Sequence, residues 1–291
     1  MHPKNYAAAT ASLNNSMWCA FFVYTGVGFF CYIIILFITE NLVLDLFADV
    51  PPVLSSVPLT VLTVQSLRTE ATLFSEVEST HPEPTLYGVS DGKAIGTYLE
   101  HKFRIYLTNK GYTYQMGNAA SGLDFPGLDI DIKVTSIKQP QSSCPFRSIR
   151  QKVYGLGYSL LVFVYDKEDN SDNKSATLKM VSTVFVEKDQ TADFQMTAGI
   201  RKIVADAAQN GDSLEVTEQE LMAYMEARAL TSEEHELRSL AGAIMKKLPE
   251  QGYLTISPAM QWRLQYKRVM EKAGTVDGVV SIYKTSPLAS S

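Results

Sequence analysis

The sequence predicts an α/β protein: a mixed central sheet flanked by helices, with a helical C-terminal appendage. Three observations carry this reading. Residues 128–137, 160–165 and 177–186 have the apolar alternation or apolar runs of strands. Helix signals stand before, between and after those strands, so the sheet has helices to cover it. The last third contains two Thr-x-x-Glu capping boxes, Thr217 with Glu220 and Thr231 with Glu234, each opening a helix.

Taken in order, VLTVQSLRTEATLFSEVE from Val61 reads as an amphipathic helix with Leu62, Leu67, Leu73 and Phe74 among polar residues. A Pro-containing joint, STHPEPTLYG, ends it. The next helix starts with Ser90 or Asp91 as N-cap and runs through Ile95, Leu99, Phe103 and Tyr106 to a stop at Gly111. Strands follow at 121–125 and 128–137, then a short helix within 147–158 ending near Gly155 or Gly157. The strands at 160–165 and 177–186 are separated by the polar turn DKEDNSDNKS. Thr191 to Asn210 is helical and stops at Gly211, and a last helix opens at Ser257 and Pro258 and ends at Gly274.

Composition narrows the class. The chain has 291 residues, 46% of them hydrophobic and 20% charged, which excludes a disordered or collagen-like protein. Cys19, Cys31 and Cys144 are scattered, and so are His2, His81, His101 and His235; neither a disulfide framework nor a Cys- or His-rich metal motif is present. The net charge of −5 gives no global attraction to nucleic acid, so DNA binding needs a local basic surface.

The N-terminus is unlike the rest. Met17 to Thr39 has no charged residue and is long enough to cross a bilayer as a helix. Lys4 before it and Glu40, Asp45 and Asp49 after it would place everything beyond residue 40 outside the cell, away from DNA. The character of the sequence then changes near Val61. Residues 1–60 therefore read as an apolar extension, either a membrane anchor or the product of an upstream start. Residues 61–211 read as the functional core in the cytoplasm, and 212–291 as a helical region.

The chemistry concentrates in SGLDFPGLDIDIKVTS, residues 121–136. Across Leu128 to Val134 polar and apolar residues alternate, so Asp129, Asp131 and Lys133 share one strand face and Leu128, Ile130, Ile132 and Val134 the other. Like charges side by side repel unless a cation compensates them. Asp124 precedes a Phe125-Pro126-Gly127 turn that can fold it back against Asp131. Two converging carboxylates suit a hard cation such as Mg2+, and an adjacent ammonium offsets charge developing on a phosphate.

Asp124 followed by Asp131-Ile132-Lys133 on a strand resembles the PD-(D/E)XK nuclease superfamily, in particular its type II restriction endonuclease-like members. The resemblance covers roughly residues 90–166. It implies a restriction-endonuclease-like sheet in which Asp124 and Asp131, with the backbone carbonyl of Ile132, hold Mg2+, and Lys133 assists hydrolysis of a DNA phosphodiester. The family's Pro normally precedes its first Asp, whereas Pro126 follows Asp124, which leaves Asp129 as the alternative first ligand. The resemblance also implies that Glu100, on the preceding helix, adds a carboxylate and that Gln151 supports the site. Asp91-Gly92-Lys93, Glu100-His101-Lys102 and Asp172-Asn173-Lys174 share the bare tripeptide spacing but fall in loops or on a helix face.

Between Ile132 and Tyr165 there is no Asp or Glu, while Lys133, Lys138, Arg147, Arg150 and Lys152 are present. Such a strip supplies phosphate contacts beside the carboxylates. On the expected last helix Arg263 and Lys267 stand one turn apart, as do Trp262 and Tyr266, giving a second DNA contact surface. The expected partner is double-stranded DNA cleaved by a type II restriction enzyme. A homodimer matches palindromic sites, and a cognate methyltransferase follows from the restriction reading. A repair or recombination nuclease of the same superfamily and a membrane-anchored, non-enzymatic binding protein are the alternatives.

Overall fold

A computed structural model describes residues 59–117, 122–144, 147–257 and 263–285. In the first 58 residues it describes only two short antiparallel pairs, Ser12–Leu13 with Ser16–Met17 and Tyr24–Thr25 with Gly28–Phe29. The rest of that region, including most of the apolar run at 17–39, lies outside the described residues. Met1–Ser56 forms one compact unit and Val57–Ser291 another, and the second contains the central sheet and its helices. Among the described residues no helix is long and apolar enough to cross a membrane.

The elements of this second unit are, in order, β1 (Thr60–Val61), α1 (Val64–Glu78), β2 (Pro82–Glu83), α2 (Gly92–Asn109), β3 (Tyr112–Thr113), β4 (Ile130–Ser136) and β5 (Gln141–Ser143). Then come α3 (Arg150–Tyr154), β6 (Ser159–Asn170), β7 (Ser175–Val186), α4 (Phe194–Asn210), α5 (Leu214–Ala227) and α6 (Glu234–Lys246). The chain closes with β8 (Thr255–Ser257), β9 (Arg263–Gln265), α7 (Lys267–Lys272) and β10 (Val279–Lys284).

The central sheet runs β10-β7-β6-β4, with β2 also on β7. β4 and β6 are parallel and the other pairs antiparallel, giving the mixed sheet expected. One face carries Ile130, Ile132, Leu161, Phe163 and Phe185 and packs under Leu67, Phe74, Leu99 and Phe103 of α1 and α2. The opposite face carries Leu160, Val162, Val164 and Val184 and packs against Leu254, Ile256, Leu264 and Tyr266. A third core joins Met196 and Ile200 of α4 to Leu221 and Leu240 of α5 and α6. Each wholly buried aliphatic or aromatic side chain contributes roughly 1.5–3 kcal/mol. Those on β4 therefore fix which of its faces is turned away from α1 and α2.

Several helix ends are built as their sequences imply. Asp91 caps α2 by accepting from Lys93 N–H at 3.0 Å, and Asp193 caps α4 by accepting from Met196 N–H at 2.8 Å. Gly211 ends α4 in the left-handed conformation. Gly155 ends α3 at φ +88°, and a Cβ there would meet Lys188 O at 2.5 Å, so only glycine fits.

Other elements differ from expectation. α5 opens four residues early, with Ser213 as cap accepting from Val216 N–H; Thr217 lies inside the helix, donating to Ser213 O. α6 has Glu233 at its cap position, and Thr231 instead bonds Glu236 Oε2 and Glu233 N–H. The expected helix from Ser257 to Gly274 is absent: its start is the end of β8, its middle is β9, and only Lys267–Lys272 is helical. The residues explain this, because Leu264 and Tyr266 are buried while Arg263 and Gln265 are exposed, a period of two rather than 3.6. Residues 258–262, Trp262 among them, lie outside the described residues. Finally, the polar segment after Tyr165 is largely ladder, since β6 and β7 pair out to Asn170 and Ser175.

A polar joint ties α1, α2 and β2. Tyr98 donates to Glu83 Oε2 at 2.6 Å, and Lys102 Nζ reaches both Tyr98 Oη and Glu78 Oε2 at 2.8 Å. Burial pushes the Glu83 carboxyl up, but hydrogen bonds from Thr85 and Tyr98 and the charge of Lys102 outweigh it and carry it down to about 2. A carboxyl depressed in the folded state adds stability above its unfolded pKa and loses it as pH falls toward the folded one. Glu83→Gln is therefore expected to be less stable than the parent at neutral pH. Denaturant melts should show that difference closing between about pH 4.5 and pH 2.

Candidate active site

The centre is built by a tight reversal before β4. Pro126–Leu128 forms a 3-10 turn, and Phe125 and Ile130 exchange backbone hydrogen bonds across it, at 3.0 and 3.2 Å. That pairing sets Asp124 opposite Asp131. Asp124 Oδ2 accepts from Ile132 N–H at 2.8 Å, and the two carboxyls come within hydrogen-bonding reach of each other. The strand itself is shorter than the alternation implied. It begins at Ile130, and Asp129 sits in the left-handed region at φ +53°, exposed and off the Asp131–Lys133 face. Of the two candidate first ligands, Asp124 is the one placed against Asp131.

Lys133 Nζ lies 2.5 Å from Asp131 Oδ2, on the strand face away from α1 and α2. Burial works against the ammonium, but Asp131 outweighs it and raises the Lys133 pKa, so the lysine is charged. Burial raises the Asp131 carboxyl to about 6 against the pull of Lys133. Glu100, on α2, completes the group: burial first, then the charge of Asp124, push it up to about 7, while Lys133 and Arg104 oppose the shift. A buried carboxyl next to two others gains on both counts from a cation that restores its charged form.

Arg104 gives no motif signal in the sequence, although it stands one turn after Glu100 on the same face of α2. Its guanidinium is 3.3 Å from Asp124 Oδ1, so Asp124 is held from two sides, by Arg104 and by the backbone of β4. Below Asp131 and Lys133 lies a polar layer that sequence reasoning also misses: Cys144 Sγ is 3.5 Å from Tyr158 Oη, and Ser142 Oγ is 2.5 Å from the buried Tyr266 Oη. These residues are far apart in sequence, and only the folding of β5, β6 and β9 onto one another joins them.

Gln151 is not in the cluster. Its side chain accepts from Arg147 N–H at 2.9 Å and donates to Leu156 O at 3.0 Å, which shapes the loop around α3. It lines a cavity of about 200 Å³ with Arg147 and Tyr158. Lys152 is buried, with its charged form disfavoured by burial and by Arg228 and favoured by Asp193, so it does not belong to the exposed basic strip. The short α3 turns Lys152 inward together with Val153. Arg147, Arg150 and Lys138 are exposed, and Arg150 lies over the Tyr154 ring at 5.2 Å. Lys267 is exposed at the start of α7, and Arg263 is exposed on β9.

A groove of about 1220 Å³ opens beside the cluster, walled by α2, β4, β5, the outer part of β6 and Arg263 of β9. Glu100 and Lys133 line it together with Lys93, Lys138, Lys167 and Arg263. Among the described residues no three His, Cys, Asp or Glu side chains close on one point. The hard-oxygen donors nonetheless fit a divalent ion: two carboxylates in contact and a third, raised mainly by burial and then by Asp124, beside them.

A carboxylate pair and a lysine on a strand of a mixed α/β sheet, beside a basic groove, define a restriction-endonuclease-like nuclease. Residues 61–281 match the family model described as type II restriction enzyme NspV. The chain is also 56% identical over 229 residues, 79% of its own length and 100% of the relative's, to the type II restriction enzyme NspV of Nostoc sp. (strain ATCC 29411 / PCC 7524). No solved structure matches. The chain belongs to the NspV family of type II restriction enzymes and is a DNA endonuclease.

Arg104→Ala removes one of the two holds on Asp124. Cleavage is expected to fall about 10–100-fold, the cost typical of losing an outer-shell partner. Arg104→Lys should recover part of it, and the melting temperature should barely move because the pair is partly exposed.

Proposed function

We propose that this enzyme hydrolyses phosphodiester bonds of double-stranded DNA with Mg2+ at Asp124 and Asp131 and with Lys133 beside it. The observation that carries the reading is the pairing of Phe125 with Ile130, which sets Asp124 against Asp131 two residues before Lys133. Asp124 and Asp131, with the carbonyl of Ile132, would hold the ion, and Glu100 would add a carboxylate at its edge. When bound, Mg2+ supplies Lewis-acid polarisation of the phosphate and a more acidic water.

The protein's own groups do the rest. Arg104 and the Ile132 N–H keep Asp124 oriented. The charged Lys133 Nζ donates to a non-bridging phosphate oxygen or to the attacking water, offsetting charge as the pentavalent state forms. Glu100, poised to hold or release a proton near neutrality, takes one from that water. Lys93 and Lys138 along the groove, and Arg147, Arg150 and Lys267 beyond it, offer charge to the DNA backbone.

A homodimer acting on a palindrome, a partner methyltransferase and a cytoplasmic location belong to the same reading, supported by membership of a restriction enzyme family. Residues 1–60 lie outside the nuclease body in this reading, which the span of the family match supports.

Incubation with plasmid tests it. The full chain and residues 61–291 should both give discrete fragments with Mg2+ and none with chelator. Asp131→Asn and Lys133→Ala should each lower the rate by at least about 100-fold, the scale of losing one transition-state contact. Normal cleavage by either variant would refute the assignment.

A further inference from the structure

We propose that the outer face of the small sheet β8-β9-β5 reads base edges of the DNA, with Arg263 and Gln141 as specificity-determining residues. The proposal rests on the nuclease reading above.

Residues directly opposite each other on paired strands share a face. The middle row, Ile256–Leu264–Ser142, faces the core, where Ile256 and Leu264 are buried and Ser142 meets Tyr266. The two outer rows, Thr255–Gln265–Gln141 and Ser257–Arg263–Ser143, therefore face away from it. This face holds one guanidinium, two amides and three hydroxyls, and no carboxylate. None of the six side chains hydrogen-bonds or ion-pairs with another described residue, so folding makes no use of their polarity. Gln141, Ser143 and Arg263 line the groove that also holds Glu100 and Lys133.

A surface meant only for phosphate would be dominated by cations. Here the cations Lys93, Lys138 and Lys167 occupy other parts of the groove, while amides and hydroxyls surround a single arginine. Forked donors and amides are the groups that recognise bases in the major groove: arginine spans guanine O6 and N7, glutamine spans adenine N6 and N7. A narrow β-ribbon also fits that groove.

The face is rigid as well. The Thr135 hydroxyl of β4 accepts from Gln141 N–H at 3.0 Å, and its one proton is within 3.1 Å reach of either Gln139 O or Gln141 O. Readers mounted on a pinned strand keep their geometry, as sequence discrimination requires.

The test maps cut ends by sequencing after digestion of a library holding the enzyme's own site and all its single-base-pair variants. Wild type, Gln141→Ala, Arg263→Ala and Lys138→Ala are compared, with melting temperatures as a check on folding. In Gln141→Ala and Arg263→Ala the preference for the true site over one set of single-base variants should drop about 5- to 150-fold, equivalent to about 1–3 kcal/mol. The affected base pair should be A·T for Gln141 and G·C for Arg263. Lys138→Ala should slow all sites alike. Gln141→Glu, of unchanged size, should shift preference away from adenine even if the alanine variant folds poorly. Unchanged preference in Arg263→Ala and in the Gln141 variants would overturn the proposal. Failure of the nuclease reading would look different: Lys133→Ala would still cut.

Discussion

The reversal between Phe125 and Ile130 is the constraint on which the centre depends. Two backbone hydrogen bonds close it, the buried Phe125 ring holds it in the α1–α2 core, and Asp129 accepts a left-handed backbone so that β4 can start at once. Without that turn Asp124 would have no reason to meet Asp131. With it, Asp124 lands where Ile132 N–H and Arg104 both bind it. The apolar side of β4 does the complementary work: Ile130 and Ile132 are committed to the core, so Asp131 and Lys133 are committed to the opposite face.

That arrangement crowds like charges, and the molecule answers with cations from two directions. Lys133 neutralises Asp131 along the strand, and Arg104 neutralises Asp124 from the helix above. Glu100 is mostly buried, and that burial, with the charge of Asp124 added to it, is why its carboxyl holds a proton well above the usual range.

Much of this is legible in the chain. The alternation around Asp131 and the Phe125-Pro126-Gly127 turn are enough to anticipate the hairpin, and the resemblance to the nuclease superfamily singles out Glu100 on the preceding helix. Strand order in the sheet is beyond reach, because pairing of β10 with β7 joins residues nearly a hundred positions apart. Arg263 to Tyr266 reads wrongly as helix because the Ser257-Pro258 start signal and the four-residue spacings Trp262–Tyr266 and Arg263–Lys267 imitate a helix, while the alternation of Leu264 and Tyr266 spans too few residues to stand out. Lys152 reads wrongly as exposed because a lysine's burial depends on neighbours such as Asp193 and Arg228, which only folding supplies. Gln151 has the right position in the chain, but its amide is consumed by the loop backbone.

The single hydroxyl of Thr135 has one more implication. It fastens the reversal at 137–140 to the same strand that carries Lys133, two residues away. The offset between the nucleotides inspected and the bond severed is thereby written into the length of that short connection. Lengthening or trimming it by a residue would act as a ruler with altered markings, displacing the nick along the helix rather than abolishing it.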